Sequence, residues 1–236
     1  MKRDDPLNPV RRPLPTIAPL PLQRRRDPFD HADWLFELKL DGFRGLAYIE
    51  RGTCRLVSRN GITFKRFAPL AAEIAVALAG VKNAILDGEV VRLDDDGRPL
   101  FNALLYRRGA PCFVAFDCLW LDGRDLRTSP LIERKRVLRR IVPRRPTCVQ
   151  YLPHVRRCGV DLFTQVVQRD LEGIVAKLRE APYGLVDGRS PWIKIKNREY
   201  SQAVGRHEQF DGFRGERWLA RRAGEPRTAQ NRLARF

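Results

Sequence analysis

Apolar and polar positions change rhythm several times along the chain, and each change predicts an element. The run Trp34-Leu35-Phe36-Glu37-Leu38-Lys39-Leu40 alternates in part, as a strand does when one face is buried. Asp41-Gly42 is turn chemistry, so Arg44 to Glu50 reads as the returning strand of a hairpin. Cys54 to Ser58 is a further short strand, stopped by Asn60-Gly61. Over 69–80 the spacing of Ala71, Ala72, Ile74, Ala75, Leu78 and Ala79 predicts a helix, with Gly80 at its C-terminal end. A strand over Ala84 to Leu93 is expected to break at Asp87-Gly88-Glu89. Pro111 to Trp120 reads as a buried strand followed by a turn at Leu121-Asp122-Gly123. Leu131 to Val142 is a basic amphipathic helix and Val160 to Arg169 another, while Gly173 to Leu178 and Trp192 to Lys196 are strands. Hairpins mixed irregularly with helices predict an α+β domain on antiparallel sheets, not a doubly wound parallel sheet.

The ends differ from this middle. Residues 1–30 carry Pro6, Pro9, Pro13, Pro15, Pro19 and Pro21 and read as an extended lead-in. Residues 31–197 form the folded domain, and 198–236 a basic tail with aromatics at Tyr200, Phe210, Phe213 and Trp218.

Charge sharpens the picture. Across 236 residues, 45 Lys and Arg stand against 28 Asp and Glu, a formal net charge of +17 and a pI near 10.5. Such an excess points to a polyanionic partner, because cations that neutralise phosphates release counterions. The five cysteines (Cys54, Cys112, Cys118, Cys148, Cys158) include no C-x-x-C pair, which argues against a zinc site and fits a reducing cytosol. No apolar leader follows Met1, and the longest nearly apolar run, Phe67 to Val81, is interrupted by Pro69 and Glu73, so no membrane partner is expected.

Charged residues on apolar strands carry the candidate chemistry. Lys39 closes an apolar strand, although lysine prefers water. Glu89, Asp117 and Glu172 adjoin or interrupt others, and alternation sets Lys194 and Lys196 on one face with Ile193 and Ile195 on the opposite one. Each taken alone is the ordinary look of a half-exposed strand. Together they suggest one cleft with lysines for phosphate oxygens and carboxylates for a divalent cation.

Lys39-Leu40-Asp41-Gly42-Phe43-Arg44 resembles the K-x-D-G-x-R nucleophile motif of covalent nucleotidyltransferases, that is, DNA ligases, RNA ligases and capping enzymes. Five further elements are similar to theirs, in the same order: Ser58-Arg59-Asn60-Gly61, Asp87-Gly88-Glu89, Phe116-Asp117, Glu172 to Lys177, and Trp192 to Lys196. The flanking residues look most like the ATP-dependent ligase domain of bacterial end-joining ligases, and the likeness runs from about Pro15 to Lys196. Asp211-Gly212-Phe213-Arg214-Gly215 repeats Asp41 to Gly45 but has Gln209 where the lysine would stand, so it is read as coincidence.

The resemblance implies a ligase-type nucleotidyltransferase fold, with two antiparallel sheets flanked by helices and a nucleotide cleft between them. It makes Lys39 the nucleophile that takes AMP from ATP before passing it to a 5′-phosphate in DNA repair. A free lysine has a pKa near ~10.4, so nearby positive charge and desolvation are expected to lower it. The nucleotide is assigned to Glu37, Arg44, Arg59, Glu89, Phe116, Lys177, Lys194 and Lys196; Mg²⁺ (or Mn²⁺) to Glu89 and Glu172; and nucleic acid to Arg44, Arg59, Arg214 and Arg217. Family members usually carry an OB domain after the fifth motif, and residues 198–236 do not read as its five strands. The expected partners are nicked or broken DNA and a protein that supplies the missing clamp, in the bacterial cytosol or nucleoid. The alternatives are an RNA ligase or RNA-end adenylyltransferase, and a non-catalytic DNA-binding protein on a ligase scaffold.

Overall fold

Alternation recurs along the chain because two sheets lie face to face, each backed by a helix. The computed structural model describes residues 14–145 and 147–203. Its strands are β1 (Gln23–Arg25), β2 (His31–Leu38), β3 (Phe43–Glu50), β4 (Thr53–Ser58), β5 (Asn83–Val91), β6 (Cys112–Leu121), β7 (Arg124–Asp125), β8 (Val149–Tyr151), β9 (Val155–Arg157), β10 (Gly173–Leu178) and β11 (Trp192–Lys196). Its helices are α1 (Ala68–Ala77), α2 (Phe101–Leu105), α3 (Leu131–Ile141) and α4 (Gly159–Gln168). The first sheet runs β1-β11-β10-β2-β9 and the second β4-β3-β5-β6-β7, with β8 beside β6. Pairing is antiparallel apart from β1–β11 and β6–β8, so each sheet is mixed rather than purely antiparallel.

Side chains two apart share a face, which sorts the core into layers. Phe36, Ile174, Ala176 and Ile195 point out of the first sheet onto Val166 of α4. Val175 and Trp192 point inward and meet Leu46, Tyr48, Ile85, Val114 and Phe116 of the second sheet. Behind the second sheet, Ala47, Leu56, Leu86 and Phe113 pack with Leu70 and Ile74 of α1 and Leu138 of α3. Helix α3 also reaches the first sheet, where Leu131 and Ile132 cover Leu35 of β2. Each large apolar side chain so buried contributes roughly 1.5–3 kcal/mol.

Three expectations change. Strands β2 and β3 are not a hairpin: they belong to different sheets, and Leu40-Asp41-Gly42 carries the chain from one to the other. Gly42 is needed there for closeness, since a Cβ would lie 2.2 Å from the Val90 carbonyl oxygen. Strand β5 does not break at Asp87-Gly88-Glu89; it runs on, and only its register with β6 shifts there. The lead-in is extended but integral: β1 pairs with β11, and Ile17 and Leu20 are buried in the core between the sheets.

The chain divides into two units, Met1–Tyr200 and Ser201–Phe236, and both sheets belong to the first. In the second, Ser201–Ala203 form one 3-10 turn. Arg214, Arg217 and the question of an OB domain after Lys196 fall outside the described residues.

Candidate active site

Adjacent strands place their inward residues in rows. Val175 on β10 stands between Glu37 on β2 and Lys194 on β11, and Gly173 stands beside Lys196. Lys39 follows the last residue of β2, and its N–H still donates to the Gly173 carbonyl at 2.8 Å. Its Nζ therefore emerges at the rim of the first sheet, 2.6 Å from Oε2 of Glu172. Nζ of Lys196 lies 3.2 Å from the other oxygen of Glu172. Opposite, Arg44 and Glu89 are register partners on β3 and β5. Between the sheets lies a cleft lined by Glu37, Lys39, Arg44, Glu89, Phe116, Lys177 and Trp192 together with apolar Leu22, Leu38, Leu40, Leu152 and Val175.

The floor of this cleft is ionic and buried. The Glu37 carboxylate accepts a hydrogen bond from Nζ of Lys135, and Nζ of Lys177 lies 2.6 Å from its other oxygen. Lys135 also donates to the carbonyls of Leu152 at 3.1 Å and Phe116 at 3.3 Å. Burial opposes the Glu37 charge, yet the two lysines outweigh it and hold the carboxyl below the usual carboxylate range. Burial pushes the Lys177 ammonium down to about 8, with Glu37 resisting and Lys135 assisting. Two cations face one anion here, so the floor carries an excess positive charge. Nζ of Lys177 lies 4.1 Å from the Phe116 ring centre and 3.9 Å from that of Trp192, and those electron-rich faces moderate the excess.

The opposite wall is anchored by Arg44. Its guanidinium grips Asp87 through Nε at 3.2 Å and Nη2 at 2.8 Å, and Nη1 donates to the Leu20 carbonyl at 2.6 Å. The Tyr183 hydroxyl donates to the same Asp87 at 2.7 Å. Burial pushes the Glu89 carboxyl up to about 8; Lys39 and Arg44 pull it down, whereas Glu172 and Asp87 add to the rise. A protonated Glu89 is thus the form favoured beside Glu172 near neutral pH.

The residues picked out by sequence fall into groups. Glu37, Lys39, Arg44, Glu89, Phe116 and Lys177 line one cleft. Glu172 and Lys196 join it through Lys39, and Lys194 is next in the strand row. Lys177 sits on the floor, not at the rim. Arg59 is exposed in the turn after β4 and does not line the cleft. Asp117 turns away from it and forms a fully buried bidentate pair with Arg134, at 2.8 and 2.9 Å. Sequence reading assigns no role to Lys135, Trp192 or Tyr183. A signal for Lys135 exists: Leu131, Arg134, Lys135 and Leu138 are spaced i, i+3, i+4, i+7, so both cations occupy the face of α3 that must be buried.

Comparison with known proteins fits this arrangement. Residues 22–196 match the family model described as ATP dependent DNA ligase domain. The chain belongs to this family. The ligase domain is 34% identical over 170 residues to the multifunctional non-homologous end joining protein LigD of Pseudomonas aeruginosa, covering 70% of this chain and 20% of that protein. It is 35% identical over 177 residues to a probable DNA ligase of Streptomyces coelicolor, covering 68% of this chain and 34% of the relative. Among solved structures, a mycobacterial DNA ligase D complexed with ATP and MES superposes with a TM-score of 0.66 at 31% identity, covering 76% of this chain and 60% of that one. The ligase domain thus spans about a fifth and a third of the two relatives' lengths.

Proposed function

We propose that this ligase domain takes AMP from ATP onto Lys39 and passes it to the 5′-phosphate of a DNA break, in the manner its end-joining relatives' names imply. One observation carries the reading: a lysine amine stands at the rim of a cleft between the two sheets, paired with the Glu172 carboxylate at 2.6 Å. The Lys39 ammonium gives up its proton to solvent, favoured by the nearby Lys194 and Lys196 charges. The freed amine attacks the α-phosphorus of ATP, an N–P bond forms, the α–β P–O bond breaks, and its electron pair leaves on pyrophosphate. The adenine lies against Phe116, with Glu37 and Lys177 beneath it. Lys194 and Lys196 hold phosphate oxygens, and Arg44 stands where the ribose and the incoming 5′-phosphate meet.

A divalent cation suits this site only together with nucleotide. Among the described residues no group of three His, Cys, Asp or Glu side chains could hold a metal. Glu89 and Glu172 are two carboxylates close enough to influence each other's charge, which is the donor set Mg²⁺ takes when phosphate oxygens complete its shell. Mg²⁺ (or Mn²⁺) held by Glu89 and Glu172 would neutralise charge on the departing pyrophosphate. Sealing by the whole protein would use a DNA clamp from a partner or from a further domain. No helix among the described residues is long and apolar enough to cross a membrane.

Incubation with Mg²⁺ and α-labelled ATP or GTP tests the reading. Label from ATP stays on the denatured protein, and Lys39→Ala abolishes it. Absence of label, with no AMP bound to the purified protein, overturns the enzyme reading. Nicked duplexes with DNA or RNA on each side of the nick then decide between DNA and RNA ends.

A further inference from the structure

We propose that the groove between α3 and β9 is a second polyanion site, which holds the sugar-phosphate backbone of duplex DNA apart from the adenylation cleft. Arg136, Arg139 and Arg140 of α3 and Arg156 of β9 line this groove with Tyr151 and His154. None of these arginines lines the cleft that contains Lys39. All four are exposed, and among the described residues none has a carboxylate at ion-pair distance. No Asp or Glu lines the groove at all.

Repulsion makes this arrangement informative. Arg136 and Arg139 are three residues apart on one helix, Arg136 and Arg140 four, and like charges at those spacings destabilise it. A merely solvated face spreads such charges over a convex surface or intersperses acids. Here they converge from a helix and a strand on a hollow. An external anion removes the repulsion, and guanidinium forks match the paired oxygens of a phosphodiester. The Arg139 guanidinium lies 5.4 Å from the Tyr151 ring centre, which limits its freedom before any ligand arrives. A membrane surface is a poorer match, because the one aliphatic side chain in the lining, Ile132, is only 8% exposed. The identity of the polyanion rests on the proposed function, since a domain that passes AMP to a DNA end must also hold the duplex behind that end.

Binding of the full chain to a nicked duplex, measured by fluorescence anisotropy between roughly 50 and 200 mM salt, tests the site. The variant combines Arg136→Gln, Arg140→Gln and Arg156→Gln. The control combines Arg51→Gln, Arg107→Gln and Arg124→Gln, exposed arginines elsewhere whose loss changes net charge equally. The groove variant is expected to bind tenfold or more weakly at the low-salt end. Its log–log salt slope falls by about 0.9 for each phosphate that is no longer neutralised, so by two to three in all. Its labelling by ATP stays at the parental level, and lysine at the same three positions retains the slope. Parental affinity and slope in the groove variant overturn the site, as does an equal loss in the control. It is also overturned if the variant loses binding to phosphatidylglycerol vesicles or to an acidic polypeptide while keeping DNA. Failure of the adenylation reading is seen separately, as absence of label on the unaltered chain.

Discussion

Glu89 stands where charges of both signs meet, and its protonation links the cleft to stability. Its folded pKa is raised from the ordinary 4.5 to about 8, so the folded state holds a proton that the unfolded chain has lost. That contribution is complete below pH 4.5 and is lost as pH rises through 8. His154 acts oppositely: burial lowers it from 6.5 to about 4, so stability rises with pH between those values. Above pH 6.5 the Glu89 effect is therefore exposed. The urea midpoint of the nucleotide-free domain should fall from pH 6.5 to 8, and Glu89→Gln should flatten that fall; an unchanged slope would refute the assignment. Asp117 gives a second expectation. Removing one partner of a fully buried pair strands the other charge, at about 3–5 kcal/mol. Asp117→Ala should lower the unfolding free energy by that amount, read as a lower urea midpoint, while label on the surviving folded protein persists, because Asp117 points away from Lys39.

At the level of elements, the crossing from β2 to β3 governs the geometry of the proposed nucleophile, Lys39. A single step, Leu40-Asp41-Gly42, separates Lys39 on one sheet from Arg44 on the other. The Asp41 carboxylate accepts a hydrogen bond from the Tyr200 hydroxyl at 2.8 Å, which pins the step from below. Gly42→Ala should cost about 1–3 kcal/mol through overpacking against Val90, and should slow labelling of Lys39 as well. A thermal scan and a labelling time course measure the two effects; a stability loss with labelling intact would mean that the step does not position the lysine. This step also marks a limit of sequence legibility. Asp-Gly after a strand is the commonest hairpin signal, and nothing local distinguishes it from a crossing whose purpose is to let β5 approach. Alternation at Trp192 to Lys196 locates that strand and both its faces, because one face packs on α4 and the other meets the cleft. The cations of α3 are easily missed because a basic helix is usually read as solvated, and only their spacing with Leu131 and Leu138 shows that they point inward. Lys39, Glu89 and Glu172 are legible because carboxylates and lysine on apolar strands need a chemical reason; Tyr183 is not, since its partner Asp87 is 96 residues away.

For the molecule as a whole, the proposed nucleotide cleft is lined by residues of both sheets, so binding there should stabilise the fold cooperatively. A ligand at about 100 times its Kd adds about 2.7 kcal/mol, which raises Tm by roughly 5–10 °C for a domain of this size. Mg²⁺ with ATP should produce such a shift in Lys39→Ala as well, because the cleft survives although the bond cannot form. Calorimetry of the variant with and without ATP checks this; no shift would place the nucleotide elsewhere.

The parallel partnership of β1 and β11 has a consequence for how the protein comes into being. Arg24 waits opposite Lys194, and Ser190 closes on the Pro21 carbonyl, so the segment around residues 14–26 finds no place until nearly all of the domain has been synthesised. Leu20, whose carbonyl steadies Arg44, belongs to that segment. A ribosome-bound chain that lacks the last strand therefore has its lysine but an unsupported second wall. Completion of the cleft's walls comes late in the making of the domain, with the closing of the first sheet by segments 169 residues apart.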